Sequence, residues 1–208
     1  MGKRLLISAA GLACLACASL AYAANITGTG GPDDIIGTTR ADRIDAKGGL
    51  DTVFGLSGDD RIKGGPGGDS IQGDGACPPG AKETDRCDQR RGSGDDDIQG
   101  NSGLDVIAGA AGDDKISGGS GDDTLTGGRG EDNVDGGSGD DTVYAGRDDD
   151  VVKGGSGKDT LLSGGSGNDR ILARDKERDK VDCGSGKDTV TADRGDRVAR
   201  SCETVHRR

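Results

Sequence analysis

Residues 118–126 read GGSGDDTLT, and residues 136–144 read GGSGDDTVY. Both are copies of one nine-residue pattern, G-G-x-G-x-D-x-U-x, in which U is an aliphatic residue. The pattern combines glycines that tight turns require, a carboxylate at a fixed place and one side chain suited to burial. It therefore carries information about the fold and about a ligand at the same time.

The repeat keeps its register over most of the chain. The Asp at position six recurs every nine residues across 33–69 and again across 96–159, and three looser units follow at Asp169, Asp179 and Asp188. An aliphatic residue two positions after each Asp is the expected core residue. These residues are Ile35, Ile44, Val53, Ile62, Ile71, Ile98, Ile107, Ile116, Leu125, Val134, Val143, Val152, Leu161, Ile171, Val181 and Val190.

The spacing predicts an all-β chain. In x-U-x, the two-residue period of a strand sends U inward and its neighbours outward. Six further residues turn the chain, and two repeats make one coil of about 18 residues with one short strand on each side. We therefore predict a parallel β-roll, a two-sheet right-handed β-solenoid with a disulfide-linked C-terminal cap. Asp123 and Asp141 should stack on one edge, and Asp114 and Asp132 on the other.

The composition is unusual for an ordered protein. Only 30% of the residues are hydrophobic, Gly numbers 42 and Trp is absent. Such a chain would ordinarily be disordered, because it cannot bury enough apolar surface to offset the entropy of ordering. A strict nine-residue register is not a property of disordered tails. Both observations are reconciled if the chain becomes ordered when it binds a cation.

The N-terminus has the pattern of a secretory signal peptide over residues 1–23. Lys3 and Arg4 precede an apolar stretch, and Ala21, Tyr22 and Ala23 form a small-x-small cleavage site. The stretch is short for a membrane anchor. Anchoring as a lipoprotein is disfavoured, because the two cysteines of this segment lack a Leu three residues earlier. The sequence thus predicts a secreted, extracellular protein without stable membrane insertion.

The rest of the chain divides into a repeat domain at 24–191 and a cap at 192–208. Within the repeat domain, the segment 74–90 has no aliphatic residue in register and is expected to form a surface excursion. Four cysteines remain after cleavage, and an even number in an exported chain indicates two disulfides. Proximity in sequence favours Cys77 with Cys87 and Cys183 with Cys202, although three pairings are possible.

The repeated carboxylates point to a calcium site. After removal of residues 1–23, 25 basic residues face 38 acidic ones, a net charge of −13 that disfavours nucleic acid and anionic membranes as partners. Stacked turns can supply the six to eight oxygen ligands that calcium takes. Magnesium requires a tighter octahedron, and zinc and copper prefer nitrogen or sulfur, whereas His206 is the one histidine.

The chain resembles the RTX family of calcium-binding β-roll proteins over residues 28 to about 191. The resemblance implies that each ion lies between successive turns on one edge. Asp42 and Asp179 are less suited, because Arg40 and Glu177 replace the glycine at position four. The resemblance implies these metal ligands: Asp33, Asp51, Asp60, Asp69, Asp96, Asp105, Asp114, Asp123, Asp132, Asp141, Asp150, Asp159, Asp169 and Asp188.

Two features differ from the RTX toxins and proteases that this chain resembles. It has an N-terminal signal in place of an uncleaved C-terminal one, and no catalytic or pore-forming domain precedes its repeats. We therefore expect a secreted, monomeric calcium binder with several Ca²⁺ ions, no enzymatic activity and no identifiable protein partner.

Four other functions compete with this expectation. A calcium-stabilised cell-surface spacer or adhesion module shares the fold and the ion, and an accessory module of a secreted enzyme is a weaker alternative. The adjacent carboxylates of Asp122 and Asp123 could act as the acid and base of glycoside cleavage, but such pairs recur in the repeats and no substrate cleft is evident. An ice-binding face is disfavoured, because the outward residues, among them Thr126, Asn133 and Lys153, are mixed in character.

Overall fold

The computed structural model describes residues 5–8, for the backbone alone, together with 23–75 and 93–207. The described strands form two parallel sheets, between which successive strands alternate. The first sheet contains β1 (Leu5–Ser8), β3 (Asp33–Ile36), β5 (Thr52–Leu56), β7 (Ser70–Asp74), β9 (Val106–Ala111), β11 (Thr124–Arg129), β13 (Thr142–Arg147), β15 (Leu161–Ser166), β17 (Lys180–Ser185) and β19 (Arg197–Val198). The second sheet contains β2 (Asn25–Thr27), β4 (Arg43–Asp45), β6 (Arg61–Pro66), β8 (Asp97–Ser102), β10 (Lys115–Ser120), β12 (Asn133–Ser138), β14 (Val151–Ser156), β16 (Arg170–Ala173), β18 (Thr189–Ala192) and β20 (Thr204–Arg207).

The predicted β-solenoid is confirmed. Leu125 pairs with Val143 in the first sheet, and Val134 pairs with Val152 in the second, so a regular coil contains 18 residues. From β5 to β18 the strands are longer than the three residues that the pattern predicts. For example, β11 and β13 continue their pairing through Gly128 and Gly146, at position two of the following repeat. Extended pairing of the turn residues gives each coil more backbone hydrogen bonds than x-U-x alone could make.

The core is a thin stack of aliphatic side chains between the two sheets. The predicted core residues lie there with one exception, at Leu161. Leu161 is only half-buried and pairs with Thr142, whereas Leu162 is completely buried and pairs with Val143. The prediction for Leu161 was wrong because this coil carries one extra residue after Asp159, which moves the inward position from the second residue to the third.

The solenoid continues across the predicted excursion. In the first sheet β7 pairs with β9, and in the second β6 pairs with β8, so Ile71 and Ile98 lie on opposite sheets as expected. Asp74 ends β7 and belongs to the coil. Residues 76–92, with Cys77 and Cys87, lie outside the described residues, and the proposed bond between these cysteines stays a prediction.

The C-terminal residues form the last, incomplete coil. The short strands β19 and β20 extend the two sheets beside β17 and β18. The predicted disulfide between Cys183 and Cys202 is present, with a Cα–Cα distance of 5.1 Å. Both cysteines belong to the core, so the bond fastens the last coil to the one before it.

At the N-terminal end, β1 pairs in parallel with β3. This strand falls within the segment predicted as a signal peptide, of which residues 1–4 and 9–22 lie outside the described part of the chain. Among the described residues, no helix is both long and apolar enough to cross a membrane.

The outer faces of the two sheets differ in charge. Exposed Arg129 and Arg147 lie at the ends of β11 and β13. The outward residues that flank each core residue of the first sheet, from β5 to β15, are nevertheless all uncharged, and we call them the neutral face. They are Thr52, Phe54, Ser70, Gln72, Val106, Ala108, Thr124, Thr126, Thr142, Tyr144, Leu161 and Ser163. Over the same coils, the outer face of the second sheet carries charged residues, among them Lys153 and Asp135, whose Nζ and Oδ2 atoms lie 3.4 Å apart. The mixture of outward residues along the sequence therefore reflects alternation between two unlike faces.

Candidate metal centre

Each turn is closely packed against the next, which explains its glycines. A Cβ atom on Gly118, at position one, would collide with Asp123 Oδ2 and with the Gly136 carbonyl oxygen of the next coil. Gly121, at position four, has φ +124° and its Cβ would collide with the Gly103 carbonyl oxygen. Glycine therefore lets carbonyl oxygens and carboxylate oxygens approach one another along the edge of the solenoid.

The position-six aspartates form two columns, one on each edge. The backbone N–H of each donates to Oδ1 of the Asp in the next coil, over distances of 2.7–3.2 Å. The first column is Asp42, Asp60, Asp96, Asp114, Asp132, Asp150, Asp169 and Asp188. The second column is Asp33, Asp51, Asp69, Asp105, Asp123, Asp141, Asp159 and Asp179.

Each column continues across the excursion. The Asp60 N–H donates to Asp96 Oδ1, and the Asp69 N–H donates to Asp105 Oδ1, both at 2.7 Å and across 36 residues of sequence. These pairs are the edge neighbours that the sequence predicts if the excursion contributes no strand. The aspartate columns are therefore continuous even though the repeat is interrupted.

All fourteen predicted ligands retain one oxygen that the protein does not satisfy. In thirteen of them the buried Oδ2 has no hydrogen-bond partner, and in Asp33 the same is true of Oδ1. The side chains themselves are almost inaccessible; Asp123, for example, is 1% exposed. A buried carboxylate oxygen without a donor is costly, so this arrangement requires a cation or a proton.

Burial raises the pKa of twelve of these carboxyls. The pKa of Asp96 rises to about 9 and that of Asp60 to about 8, chiefly by loss of hydration and further by neighbouring carboxylates, while a backbone N–H opposes the rise. The pKa of Asp132 rises to about 7 and that of Asp123 to about 6, again chiefly through burial. Each column thus holds negative charge only at a cost that a bound cation would relieve.

Position five forms a second, exposed ladder that runs in the opposite direction. The Asp140 N–H donates to Asp122 Oδ1 of the preceding coil at 2.8 Å, and the Lys158 N–H donates to Asp140 Oδ1 at 2.8 Å. Asp122 is exposed, whereas Asp123 beside it is buried. The two adjacent acids therefore have different roles, and the variable position five needs no cation for its charge.

The ends of the columns contain acids that the repeat pattern did not identify. The Asp188 N–H donates to Glu203 Oε2 at 3.0 Å, and the Asp179 N–H donates to Asp196 Oδ1 at 3.2 Å. These two acids replace the next Asp of each column. Glu203 follows Asp188 by 15 residues and Asp196 follows Asp179 by 17, close to the length of one coil. This spacing is the sequence feature that could have identified them.

Asp42 and Asp179, which the sequence predicts to be less suited as ligands, also lie in the columns. Asp42 differs from its neighbours because the Thr38 hydroxyl donates to its Oδ1 at 3.0 Å and the Thr38 N–H donates to its Oδ2. Its charge is thus stabilised by the protein. Asp179 accepts the Asp159 N–H at 2.9 Å, as an ordinary column member does.

The donor set suits a hard cation. The oxygens without partners are carboxylates, and position-one carbonyl oxygens lie close to them, as the Gly136 carbonyl does to Asp123 Oδ2 around Gly118. Among residues 23–75 and 93–207, no three acidic, histidine or cysteine side chains converge on one point as a metal site. Main-chain carbonyls are the other oxygen donors in these turns, a kind of ligand that calcium accepts and zinc does not favour.

Comparison with known families agrees with this geometry. A family model described as the RTX calcium-binding nonapeptide repeat (4 copies) matches five stretches of the chain. They are residues 27–62, 54–76, 91–125, 126–161 and 161–175. The matches cover more than half of the chain, so the chain belongs to the family of RTX calcium-binding nonapeptide-repeat proteins. No curated protein sequence matches it.

Proposed function

We propose that this RTX calcium-binding repeat protein is a secreted, monomeric, non-catalytic protein that folds when several Ca²⁺ ions enter its turns. The observation that carries the proposal is the pair of aspartate columns, in which all fourteen predicted ligands have a buried carboxylate oxygen without a donor. A folded chain with these columns ionised and no cation would contain stacked, desolvated negative charge.

The core is too thin to oppose that repulsion. One aliphatic side chain per repeat contributes about 1.5–3 kcal/mol on burial. Ordering a single residue of backbone already costs about 1–2 kcal/mol, and each repeat orders nine of them. Cation binding thus supplies stabilisation that the side chains cannot, and it does so at every turn.

In each occupied turn, the Oδ2 atoms of a column would hold the ion together with the adjoining carbonyl oxygens. Bound calcium supplies positive charge that neutralises the column. The protein contributes the spacing, because the Oδ1 hydrogen bonds fix every carboxylate and the glycines bring the carbonyl oxygens close. Affinity in the range of extracellular calcium modules, roughly 10⁻⁴–10⁻³ M, would suit a secreted protein.

The test is far-UV circular dichroism of residues 24–208 during a calcium titration, with magnesium as the matched control. We expect little β structure in chelator, a steep cooperative transition with calcium and none with magnesium at the same concentration. Full β structure in chelator would contradict calcium-driven folding. Sedimentation of the calcium-bound protein tests the monomer, and the mass of the exported protein tests cleavage after Ala23.

An adhesion or spacer module is the second candidate, and the neutral face favours it. A row of uncharged side chains, with Tyr144 45% exposed, is unusual on a chain with net charge −11. If this face binds a cell surface, Thr126→Lys should reduce calcium-dependent sedimentation of the protein with cells of the producing organism. Ser117→Lys, on the second sheet, is the matched control. Equal binding by both variants and the unaltered protein would exclude a role for this face.

A further inference from the structure

One carboxylate of the first edge lies outside the position-six columns. Asp74 is the last residue of β7 and pairs in register with Leu56 of β5. It occupies position two of its repeat, where the strands β11 and β13 have Gly128 and Gly146. An acidic residue at this position is therefore not part of the nine-residue pattern.

Asp74 is the most completely unsatisfied acid among the described residues. Its side chain is 0% exposed, and neither Oδ1 nor Oδ2 has a hydrogen-bond partner. The predicted column ligands, by contrast, each leave one oxygen without a donor. The nearby Gly94 N–H lowers the pKa of Asp74, but its hydrogen bond, at 3.1 Å, is to the Ala111 carbonyl oxygen. A buried carboxylate with no donor is tolerated only when a cation binds it or a proton neutralises it.

The surroundings of Asp74 are acidic. The charges of Asp59, Asp95 and Asp114 act on its carboxylate. The charge of Asp74 acts in turn on Asp60 and Asp96, the column members of the two adjoining turns. Burial raises the pKa of Asp74 to about 7, and these neighbours contribute to the rise. Five carboxylates therefore lie within electrostatic range of a sixth that is fully buried.

Oxygen ligands from the backbone adjoin the same place. A Cβ on Gly73, the residue before Asp74, would collide with Asp96 Oδ2, and a Cβ on Gly55 would meet both Asp60 Oδ2 and the Gly73 carbonyl oxygen. The Gly94 carbonyl oxygen faces the next coil, where a Cβ on Gly112 would collide with it. Carboxylate and carbonyl oxygens of two successive turns thus surround the entrance and exit of the excursion.

We propose that Asp74 is an additional ligand for a hard divalent cation, and that it makes the turn formed by residues 73–75 and 93–96 the strongest calcium site of the chain. The inference rests on the proposed function, because it assigns one further ligand to the same edge. Calcium affinity increases with the number of charged ligands and with the rigidity of the site. This site therefore fills first and joins the two ends of the excursion before the other coils are ordered.

The experiment is isothermal titration calorimetry of residues 24–208 with calcium alone, for the unaltered protein, Asp74→Asn and Asp74→Gly. Both variants remove the carboxylate, and Asp74→Gly restores the glycine of the pattern, so it decides the question if Asp74→Asn does not fold. We expect the tightest binding phase to weaken about tenfold or more in each folded variant. The midpoint of calcium-dependent folding should move to higher calcium.

Asp97→Asn is the matched control, because it removes one negative charge close to the excursion, from a half-buried residue whose Oδ2 lies 3.4 Å from Arg61 Nε and whose Oδ1 alone has no hydrogen-bond partner. It should leave the tight phase unchanged. If Asp74→Gly binds calcium as tightly as the unaltered protein, or if Asp97→Asn weakens the tight phase equally, Asp74 is not a ligand and only this inference fails. If the unaltered protein itself neither binds calcium nor folds with it, the proposed function fails.

Discussion

Asp123→Asn separates the role of charge from that of hydrogen bonding in a column. Asp123 Oδ1 accepts the Asp105 N–H at 2.9 Å, and an asparagine oxygen can still accept this bond. The substitution therefore removes the negative charge next to the orphaned oxygen while it keeps the shape of the turn. Asp122→Asn is the matched control, since Asp122 Oδ1 accepts the Asp140 N–H at 2.8 Å and the residue is exposed.

The magnitude follows from ligand linkage. An ion site at a calcium concentration ten times its Kd stabilises the fold by about 1.4 kcal/mol. Asp123 lies between Asp105 and Asp141, so it faces one turn above and one below. If both adjoining sites are lost, Asp123→Asn should lower the free energy of unfolding by about 3 kcal/mol at that concentration. Asp122→Asn should change it by about 0.5 kcal/mol or less, as exposed substitutions do.

The assay is urea unfolding at fixed calcium, followed by circular dichroism, with both variants and the unaltered protein in parallel. The difference between the two variants should shrink as calcium is lowered toward the Kd of the sites, because the linkage contribution of each site decreases with calcium concentration. Equal destabilisation by the two substitutions would refute the assignment of position six as the ligand. A destabilisation by Asp123→Asn that does not depend on calcium would show that the column is structural alone.

Four further outcomes are expected. In chelator, β structure should increase as the pH falls from about 9, the raised pKa of Asp96, toward 3.8, its ordinary value, because protonation removes the buried charge. Circular dichroism that shows β structure increasing with pH would contradict this. Leu162→Ala should cost about 2–5 kcal/mol in urea unfolding, and Leu161→Ala much less; the reverse order would mean that the register is misassigned. Cys202→Ser should lower stability at saturating calcium by about 2–5 kcal/mol in the same assay, and an unchanged midpoint would make the disulfide dispensable. Replacing residues 76–92 with a short linker should leave the calcium midpoint nearly unchanged, since loop closure entropy changes only by about 0.6 kcal/mol per doubling of length; loss of folding would make the segment essential.

The architecture and both columns follow from the sequence alone, and the reason is local. A nine-residue period fixes where the chain turns, alternation fixes which side chain enters the core, and two repeats close one coil. The pairs Asp123 with Asp141 and Asp114 with Asp132 lie where this reasoning places them. The continuity from Asp60 to Asp96 also followed, because a segment without a strand cannot change the order of stacking.

The tertiary structure decided what depends on contacts between coils. One inserted residue moves Leu162 into the place expected for Leu161, and no local pattern distinguishes two adjacent leucines. Asp196 and Glu203 end the columns without belonging to a repeat, so the nine-residue count could not identify them. Asp74 is buried because the stacking of neighbouring coils encloses it, although its sequence context is that of a loop entrance. The burial and the hydrogen-bond partners of each carboxylate depend on how neighbouring coils pack, and they determine how much negative charge each turn must neutralise.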